Sequence, residues 1–360
     1  MKLLVRATNW LGDAVMSIPA LREIRRAYAG WEIVILARPW VADLYGREDF
    51  CDRILAYENN GRHAGWRGKL RLGSELRAEG FDTAILLQNA FDAALVTRLA
   101  GIPNRIGYAR DGRGLLLTKA VAPPRKDETP VHQRYYYLEL LRRAGVIPAL
   151  PVCDEIRLGA AALAAAEGRE YWQRQGVTAS RWIGVSPGAA YGSAKRWFPE
   201  RFAETASQLA NRLDAHVAVF GSAGEAELCG SVARSIGARA HDVAGRTTLA
   251  EFIKLAAACT VFLTNDSGAM HVAAALGIPT VAVFGATDDV TTGPSAGWAR
   301  VVRQHVECSP CLLRECPIDH RCMTAVEVSR VIEEACALLR GNGVEVREEA
   351  GGSHRDSRSR

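Results

Sequence analysis

The chain has 360 residues, 48% of them hydrophobic and 24% charged, a balance typical of a globular protein of one or two domains. Its N-terminal stretch, MKLLVRATNWLGD, is interrupted by Arg6 and Asn9 and is therefore unlike a signal peptide. No window approaches the roughly 18 consecutive apolar residues of a membrane span. We therefore expect a cytoplasmic protein.

The net charge of +5 is unevenly distributed along the chain. The first 150 residues carry 23 Lys and Arg against 16 Asp and Glu, and the other 210 carry 22 against 24. This asymmetry predicts an anionic partner for the first half, although scattered solvated arginines would give the same count. A nucleic acid is disfavoured as that partner, because the sequence shows no basic helical face interleaved with aromatics and no known nucleic-acid-binding module.

Strands alternate with helices throughout the first half. Residues 2–8 form the first predicted strand, and a helical spacing of apolar residues follows from Ile18 to Tyr28. Pro19 either kinks this helix or begins its regular part. Further strands are predicted at 32–38, 53–57 and 81–87, with helices at 66–79, 91–100 and 132–144. Such alternation indicates a parallel sheet flanked by helices.

A second run of alternation follows a segment without clear periodicity. Residues 146–158 carry two prolines, and we place a linker at 151–158, between an N-terminal domain (1–150) and a C-terminal domain (159–340). The second domain is predicted to contain helices at 160–175, 199–213, 224–236, 248–258, 268–276 and 325–339 and strands at 182–190, 216–221, 259–265 and 279–285. The tail, 341–360, is rich in Gly, Ser and charge and is predicted to be disordered.

The stretch TNDSGAMH, 264–271, lies where a buried strand is predicted to end and a helix to begin. It combines the free N–H groups of a helix start, which favour anions, with the Asp266 carboxylate, the Ser267 hydroxyl and the His271 imidazole. Two more strand-end loops, 186–197 and 220–225, belong to the same half. Ligands bind at the carboxyl ends of parallel strands, so the three loops predict a nucleotide diphosphate site. An ordinary capped strand–helix junction is the alternative.

Two charged residues suggest chemistry at this site. Lys195 follows Gly188 and Gly192, which allow the backbone to approach a phosphate closely, although the loop lacks the P-loop spacing. A solvated Lys195–Arg196 pair is the alternative. Asp13 ends the turn after the first strand, where it would either cap a helix or act as a general base facing the nucleotide-binding half.

Four of the nine cysteines form a cluster, C-x2-C-x4-C-x5-C, with His320 inside it. A structural metal is one interpretation, with Cys308, Cys311, Cys316 and Cys322 as ligands. Only the first pair has the regular spacing of a zinc site, so a cysteine-rich or redox-sensitive surface loop is favoured.

Four motifs resemble those of glycosyltransferase family 9, the ADP-heptose:lipopolysaccharide heptosyltransferases, and the resemblance covers roughly residues 1–340. They are GDAVMSIPAL (12–21), SPGAAYGSAKRWFPERFAE (186–204), VFGSAGE (219–225) and TNDSGAMHVAAALGIPTVAVFG (264–285). The resemblance implies an α/β protein of the GT-B type, in which two Rossmann-like domains place their parallel sheets across a cleft. The N-terminal domain would bind the acceptor and the C-terminal domain the nucleotide sugar. The AKRW loop, with 65–77 and 99–108, is most similar to the branch that adds the second heptose to the inner core.

The resemblance also implies roles for individual residues. Asp13 would deprotonate an acceptor heptose hydroxyl, and Lys195 would stabilise the departing diphosphate in an inverting transfer. The other residues expected to bind ADP-heptose are Ser186, Gly188, Ala189, Arg196, Gly221, Ser222, Glu225, Asp266, Ser267, Gly268 and His271. No cofactor would be required. The acceptor would be a Kdo-bearing phosphorylated lipid A core, and the enzyme would be peripheral at the inner face of the inner membrane.

Three alternatives remain at this point. A family member could act on a different acceptor, such as the one that receives the first heptose. A nucleotide-sugar epimerase shares the two-domain plan, but its motifs do not match. A non-catalytic nucleotide-binding module is disfavoured, because both halves keep an intact candidate site.

Overall fold

A computed structural model of the chain describes residues 1–347, which form two halves, each built on a six-stranded parallel sheet. The strands of the first half are β1 (Lys2–Arg6), β2 (Glu32–Ala37), β3 (Arg53–Ala56), β4 (Thr83–Leu86), β5 (Asn104–Tyr108) and β6 (Lys119–Val121). They lie in the order β3-β2-β1-β4-β5-β6, and every neighbouring pair is parallel. This is the strand order of a dinucleotide-binding Rossmann sheet.

The second half repeats the same order. Its strands are β7 (Trp182–Ser186), β8 (His216–Val219), β9 (Ala240–Asp242), β10 (Val261–Asn265), β11 (Thr280–Phe284) and β12 (Ala299–Arg303). They lie as β12-β11-β10-β7-β8-β9, again all parallel. The expected architecture of two Rossmann-like domains with parallel sheets is therefore confirmed.

Helices connect the strands in both halves. In the first half they are α1 (Leu11–Met16), α2 (Ile18–Ala27), α3 (Pro39–Tyr45), α4 (Gly65–Glu79), α5 (Phe91–Leu99) and α6 (Gln133–Arg143). In the second half they are α7 (Ala161–Arg174), α8 (Pro199–Leu213), α9 (Ala226–Ile236), α10 (Leu249–Ala257), α11 (Gly268–Ala275), α12 (Asp289–Thr292), α13 (Arg321–Thr324) and α14 (Val328–Gly341). Within residues 1–347, none of these helices has the length and apolar character needed to span a membrane.

Four strands, β5, β6, β9 and β12, were not predicted from the sequence. Their sequences are NRIGY, KAV, AHD and ARVVR, which are short or carry charged residues. Three of them, β6, β9 and β12, are the edge strands of their sheets. Edge strands are often short and charged, which protects them from pairing with another chain, and this weakens the hydrophobic pattern that identifies a strand.

The first helical segment is divided in two at Ser17. Pro19 occupies the first turn of α2, where its missing N–H group is tolerated. The Ser17 hydroxyl donates to the Ala14 carbonyl at 2.8 Å and supports the junction. The break leaves α1 only six residues long, with Asp13 in its first turn at the carboxyl edge of the first sheet.

The segment between α6 and α7, residues 144–160, contains no helix or strand and includes the predicted linker. It runs along the second half, where the Ile156 N–H donates to the Ser295 carbonyl at 2.9 Å. The Leu158 N–H similarly donates to the Ala275 carbonyl at 2.8 Å. The connection is thus hydrogen-bonded to the second half over its final residues.

The predicted tail begins at residue 341, where α14 ends. Val344 and Val346 are half-buried against the hydrophobic core of the second half. The Arg347 N–H donates to the Arg212 carbonyl at 3.1 Å. The rest of the predicted tail, 348–360, lies outside the described residues.

The two halves meet where α1 packs against α11. A β-carbon on Gly12 would lie 2.9 Å from His271 Cδ2, and one on Gly268 would lie 2.9 Å from Leu11 Cβ. Real β-carbons do not approach other atoms so closely, so both glycines are needed for the helix starts to come together. This contact brings the first turn of α1 beside the strand-end loops of the second half.

Candidate active site

A cleft of about 630 Å³ lies between the halves, within the size range of small-molecule sites. Twelve of the thirteen predicted site residues line it: Asp13, Ser186, Gly188, Ala189, Lys195, Gly221, Ser222, Glu225, Asp266, Ser267, Gly268 and His271. Arg196 is not among the described residues that line the cleft. Arg196 follows the 3-10 turn Ser193–Lys195, and its guanidinium donates to the Ala189 carbonyl at 3.3 Å.

The loops converge because β7 and β10 are neighbours at the centre of the second sheet, where the strand order reverses. Asn265, the last residue of β10, connects the two strand ends. Its Oδ1 accepts a hydrogen bond from the Trp197 N–H at 2.9 Å, and its Nδ2 donates to the Pro187 carbonyl at 2.7 Å. The buried amide therefore fixes both ends of the loop that carries Lys195, a role that the sequence did not reveal.

A nearly buried ion pair lies at the centre of the cleft. Lys195 Nζ lies 2.5 Å from Asp266 Oδ2, and the side chains are 13% and 6% exposed. The Thr287 hydroxyl donates to the same carboxylate oxygen at 2.5 Å. Ser267 rather than Asp266 caps α11, accepting from the Met270 N–H, so the Asp266 carboxylate is available for the pair.

Asp13 faces this pair from the first half. Its Oδ1 accepts a hydrogen bond from the Tyr137 hydroxyl of α6 at 3.0 Å. Burial raises the pKa of Asp13 above its ordinary value, while the Tyr137 hydrogen bond and the positive charge of Lys195 oppose that shift. The pKa of Tyr137 is raised by its own burial and by Asp13, so the phenol remains a donor. The arrangement can hold a carboxylate whose proton affinity exceeds that of a solvated aspartate.

His271 contributes a neutral imidazole to the same cleft. Burial lowers its pKa to about 4, against the opposing effect of the Asp266 carboxylate. The positive charges associated with His132 and Lys195 lower it further. At neutral pH His271 can therefore donate or accept a hydrogen bond without adding charge.

The opposite wall of the cleft is formed around Glu225. Ser222 and Glu225 make a capping box at the start of the 3-10 turn Ala223–Glu225, directly before α9, in which Glu225 Oε2 accepts from the Ser222 N–H at 2.9 Å. A β-carbon on Gly188 would lie 2.0 Å from Glu225 Oε1. A side chain at position 188 would therefore displace the Glu225 carboxylate from its present position between two of the predicted loops.

Sequence reasoning missed several lining residues. They are Trp10, Leu11, Gly12, Met16, Ala190, Tyr191, Phe220, Thr247, Thr248, Leu249, Phe252, Ala269 and Thr292. Most lie within or directly before the motifs quoted above, although no role was predicted for them. Thr248 carried a recognisable signal, because it begins a T-x-x-E capping box that the structure forms with Glu251.

All nine cysteines are free thiols. Across residues 1–347 no group of three or more His, Cys, Asp or Glu side chains is arranged to hold a metal, so the metal interpretation of the cysteine cluster has no structural support. Burial and the nearby Cys308, Cys311 and Cys316 raise the pKa of the Cys322 thiol. The buried Cys322 thiol is therefore less readily ionised than a solvated thiol.

Comparison with known proteins identifies the family. Residues 69–321 match the profile of glycosyltransferase family 9 (heptosyltransferase). The chain is 32% identical to lipopolysaccharide heptosyltransferase 2 of Salmonella typhimurium, over 96% of this chain and 100% of the relative. It is 25% identical to lipopolysaccharide heptosyltransferase 1 of Pseudomonas aeruginosa, over 88% and 87% of the two chains. The solved structure of E. coli ADP-heptose LPS heptosyltransferase II superposes with a TM-score of 0.79 at 29% identity, over 96% of this chain and 100% of that one. The chain therefore belongs to glycosyltransferase family 9, the heptosyltransferases.

Proposed function

We propose that this enzyme transfers a heptose from ADP-heptose to a heptose hydroxyl of the lipopolysaccharide inner core, with inversion at the anomeric carbon. The proposal is carried by one observation: Asp13, from the first half, and Lys195, from the second, line the same cleft, whose size suits a small-molecule ligand. The greater identity to the heptosyltransferase 2 relative than to the heptosyltransferase 1 relative supports a heptose-bearing acceptor.

Asp13 acts as the general base in this proposal. A sugar hydroxyl is a poor nucleophile at neutral pH, and a positioned base typically contributes about 10²–10⁴-fold to such a reaction. The raised pKa of Asp13 increases its driving force for accepting the proton. The Tyr137 hydroxyl holds one carboxylate oxygen, which leaves the other for the acceptor.

The remaining carboxylates of the cleft support a single displacement. Among the described lining residues only Asp13, Glu225 and Asp266 carry carboxylates. Asp266 is paired with Lys195, and Glu225 is engaged in its capping box. No second carboxylate is therefore placed as a nucleophile, and direct attack by the activated acceptor inverts the anomeric centre.

Lys195 stabilises the diphosphate as it leaves. Its ammonium group is held by Asp266 in a site largely shielded from water, where a fixed charge acts more strongly than in solvent. The free N–H groups at the start of α11 and the small residues of the 186–190 loop give the diphosphate oxygens room and donors. Ser222 and Glu225, with the apolar wall at Leu249 and Phe252, are suited to the adenosine.

Peripheral contact with the inner membrane is part of the proposal. On the first two turns of α4, Trp66 is 58% exposed and Leu70 is 44% exposed. Arg67 and Arg71 are exposed beside them, so that adjacent stripes of apolar and basic residues face outward. Such a surface is suited to the headgroup region of an anionic membrane.

This surface lies at the edge of the sheet that carries Asp13. Lys69 Nζ of α4 lies 2.6 Å from Asp92 Oδ1, in the first turn of α5. The α5 helix begins where β4 ends, beside β1, so the start of α4 is close to the carboxyl edge of the first sheet. A membrane-bound acceptor could then reach the cleft without leaving the bilayer.

The acceptor is tested directly by supplying ADP-heptose with defined Kdo-bearing lipid acceptors that carry zero or one heptose. We expect ADP release and heptose transfer with the one-heptose acceptor, measured by coupled ADP detection and mass spectrometry. A preference for the acceptor without heptose would assign the chain to the alternative acceptor class. If ADP-heptose raised the melting temperature but no ADP were released in the presence of either acceptor, the chain would instead be a non-catalytic binding module.

Asp13→Asn should lower kcat by about 10²–10⁴-fold, because it removes the base but keeps the side-chain size and the hydrogen-bond acceptor for Tyr137. ADP affinity and melting temperature should be nearly unchanged. Asp92→Asn is the matched control, since Asp92 lies in the first turn of α5 at the same sheet edge. Near-normal turnover by the Asp13 variant, or a loss of stability large enough to explain the lost activity, would contradict the role.

Tyr137→Phe should move the acid limb of the kcat–pH profile to higher pH. The Tyr137 hydrogen bond lowers the pKa of Asp13, so its removal raises that pKa and protonates the base at a higher pH. Tyr136→Phe serves as the control, because the Tyr136 hydroxyl accepts from Asn89 Nδ2 instead. An unchanged limb, or one shifted to lower pH, would show that the hydrogen bond does not tune the base.

Arg67→Gln/Arg71→Gln should weaken binding to vesicles of phosphatidylethanolamine and phosphatidylglycerol by about tenfold or more, since each basic residue at an anionic surface contributes about 1 kcal/mol. Co-sedimentation at fixed ionic strength measures the loss. Arg330→Gln is the control, because Arg330 lies 61% exposed on α14 of the second half. Equal vesicle binding by all three proteins would rule out this surface as the membrane contact.

A further inference from the structure

The cysteine-rich loop, residues 306–320, packs directly against the segment that carries Lys195. Three hydrogen bonds join the loop to residues 191–195: the Tyr191 hydroxyl donates to the Leu312 carbonyl (2.8 Å), the Ala194 N–H donates to the Arg314 carbonyl (3.0 Å), and His320 Nε2 contacts the Ala194 carbonyl (3.0 Å). Because a carbonyl can only accept, His320 Nε2 carries the hydrogen. Both backbone groups of Ala194, the residue before Lys195, are thus held by the loop.

Gly192 shows how closely the two segments approach. A β-carbon at this position would lie 2.1 Å from the Arg314 carbonyl oxygen. Its φ of 162° and ψ of 169° describe extended backbone that any residue can adopt. A side chain at 192 is therefore excluded by the Arg314 carbonyl alone and not by backbone strain.

The far side of the loop is fixed to the end of β11. The Leu312 N–H donates to the Ala286 carbonyl at 2.8 Å, and the Ser309 hydroxyl donates to the Gly285 carbonyl at 2.5 Å. The next residue along the chain, Thr287, donates to Asp266. The loop thus connects the backbone before Lys195 with the strand end that supports its partner carboxylate.

The Lys195 side chain itself has four rotatable bonds, and few contacts fix the position of its ammonium group. It lies 2.5 Å from Asp266 Oδ2 and 4.8 Å from the centroid of the Tyr191 ring. The guanidinium of Arg314 lies 5.2 Å from the same ring centroid, so the loop also orders that ring. A displacement of about 1 Å of a catalytic group can cost about 10²-fold in rate, so the backbone before Lys195 must be held firmly.

We propose that His320 is a positioning residue for the glycosyl transfer, which acts with the Arg314 carbonyl to hold the backbone at Ala194 and thereby place the Lys195 ammonium against the leaving diphosphate. The proposal rests on the proposed function of Lys195. It gives the cysteine-rich loop a role in the reaction that requires no metal and no thiol chemistry.

A matched pair of variants isolates the hydrogen bond. His320 has a φ of 56°, a conformation that Phe and Gln both find unfavourable, so His320→Phe and His320→Gln carry a similar backbone cost. Gln can donate to the Ala194 carbonyl and Phe cannot. His320→Phe should lower kcat about tenfold with the KM for ADP-heptose changed less than threefold, and His320→Gln should recover most of the rate. Equal loss in both variants, in step with a lowered melting temperature, would leave His320 a merely structural residue and overturn the proposal.

A double-mutant cycle shows whether His320 acts through Lys195. Lys195→Ala alone should lower kcat strongly, and adding His320→Phe should then change kcat by less than twofold. The same tenfold loss in both backgrounds would overturn the positioning role while leaving Lys195 catalytic. Normal kcat in Lys195→Ala would overturn the proposed role of Lys195 and the inference with it.

If His320→Phe does not fold, Gly192→Ala tests the same contact between the loop and the backbone before Lys195. Its methyl group displaces the Arg314 carbonyl, so kcat should fall in the wild-type background and not in Lys195→Ala. Gly224→Ala is the control, because the nearest atom to its β-carbon would be Ser222 Oγ at 4.0 Å. Full activity of Gly192→Ala would contradict the proposal.

Discussion

The structure depends on the close approach of two helix starts that belong to different halves of the chain. The first turn of α1 meets the first turn of α11, and neither Gly12 nor Gly268 leaves room for a side chain at the contact. Each helix follows a central strand of its own Rossmann sheet, so each start lies at the carboxyl edge where such sheets bind ligands. The approach turns two separate strand-end sites into one cleft.

The cleft brings opposite charges together in a partly dehydrated space. Asp266 and Lys195 form a short ion pair, and such a pair is retained at low exposure only when its members are further hydrogen-bonded. Thr287 supplies that additional contact. Asp13 stands apart from the pair, held by Tyr137, with a pKa raised by burial. One carboxylate is therefore neutralised and another is left basic, which suits a reaction that removes a proton on one side and develops negative charge on the other.

The sequence predicted much of this arrangement. The buried central strands and the loops of small residues that follow them were recognisable. Because the carboxyl ends of parallel strands lie at one edge of a sheet, three loops of the second half were expected to lie together. Position in the chain drew attention to Asp13 and Lys195, and the family resemblance favoured catalytic roles for them over the alternatives. Arg196 was expected to bind ADP-heptose, but its guanidinium donates to the Ala189 carbonyl, and it is not among the described residues that line the cleft.

The contacts that sequence reasoning missed join residues far apart in the chain. Tyr137 lies 124 positions from Asp13, and His320 lies 126 positions from Ala194. No local pattern marks a tyrosine on a helix, or a histidine in a cysteine-rich loop, as the partner of a distant site. Such pairings follow from how the elements pack, and only the folded structure reveals them.

The anomeric configuration of the product tests the central claim most directly. Nuclear magnetic resonance of the new glycosidic linkage, formed from ADP-heptose of known configuration, gives the stereochemical outcome of a single transfer. Activation of the acceptor by Asp13, with departure of the diphosphate towards Lys195, predicts a linkage of the opposite configuration to the donor. A retained configuration would require a second, nucleophilic step and would contradict the account.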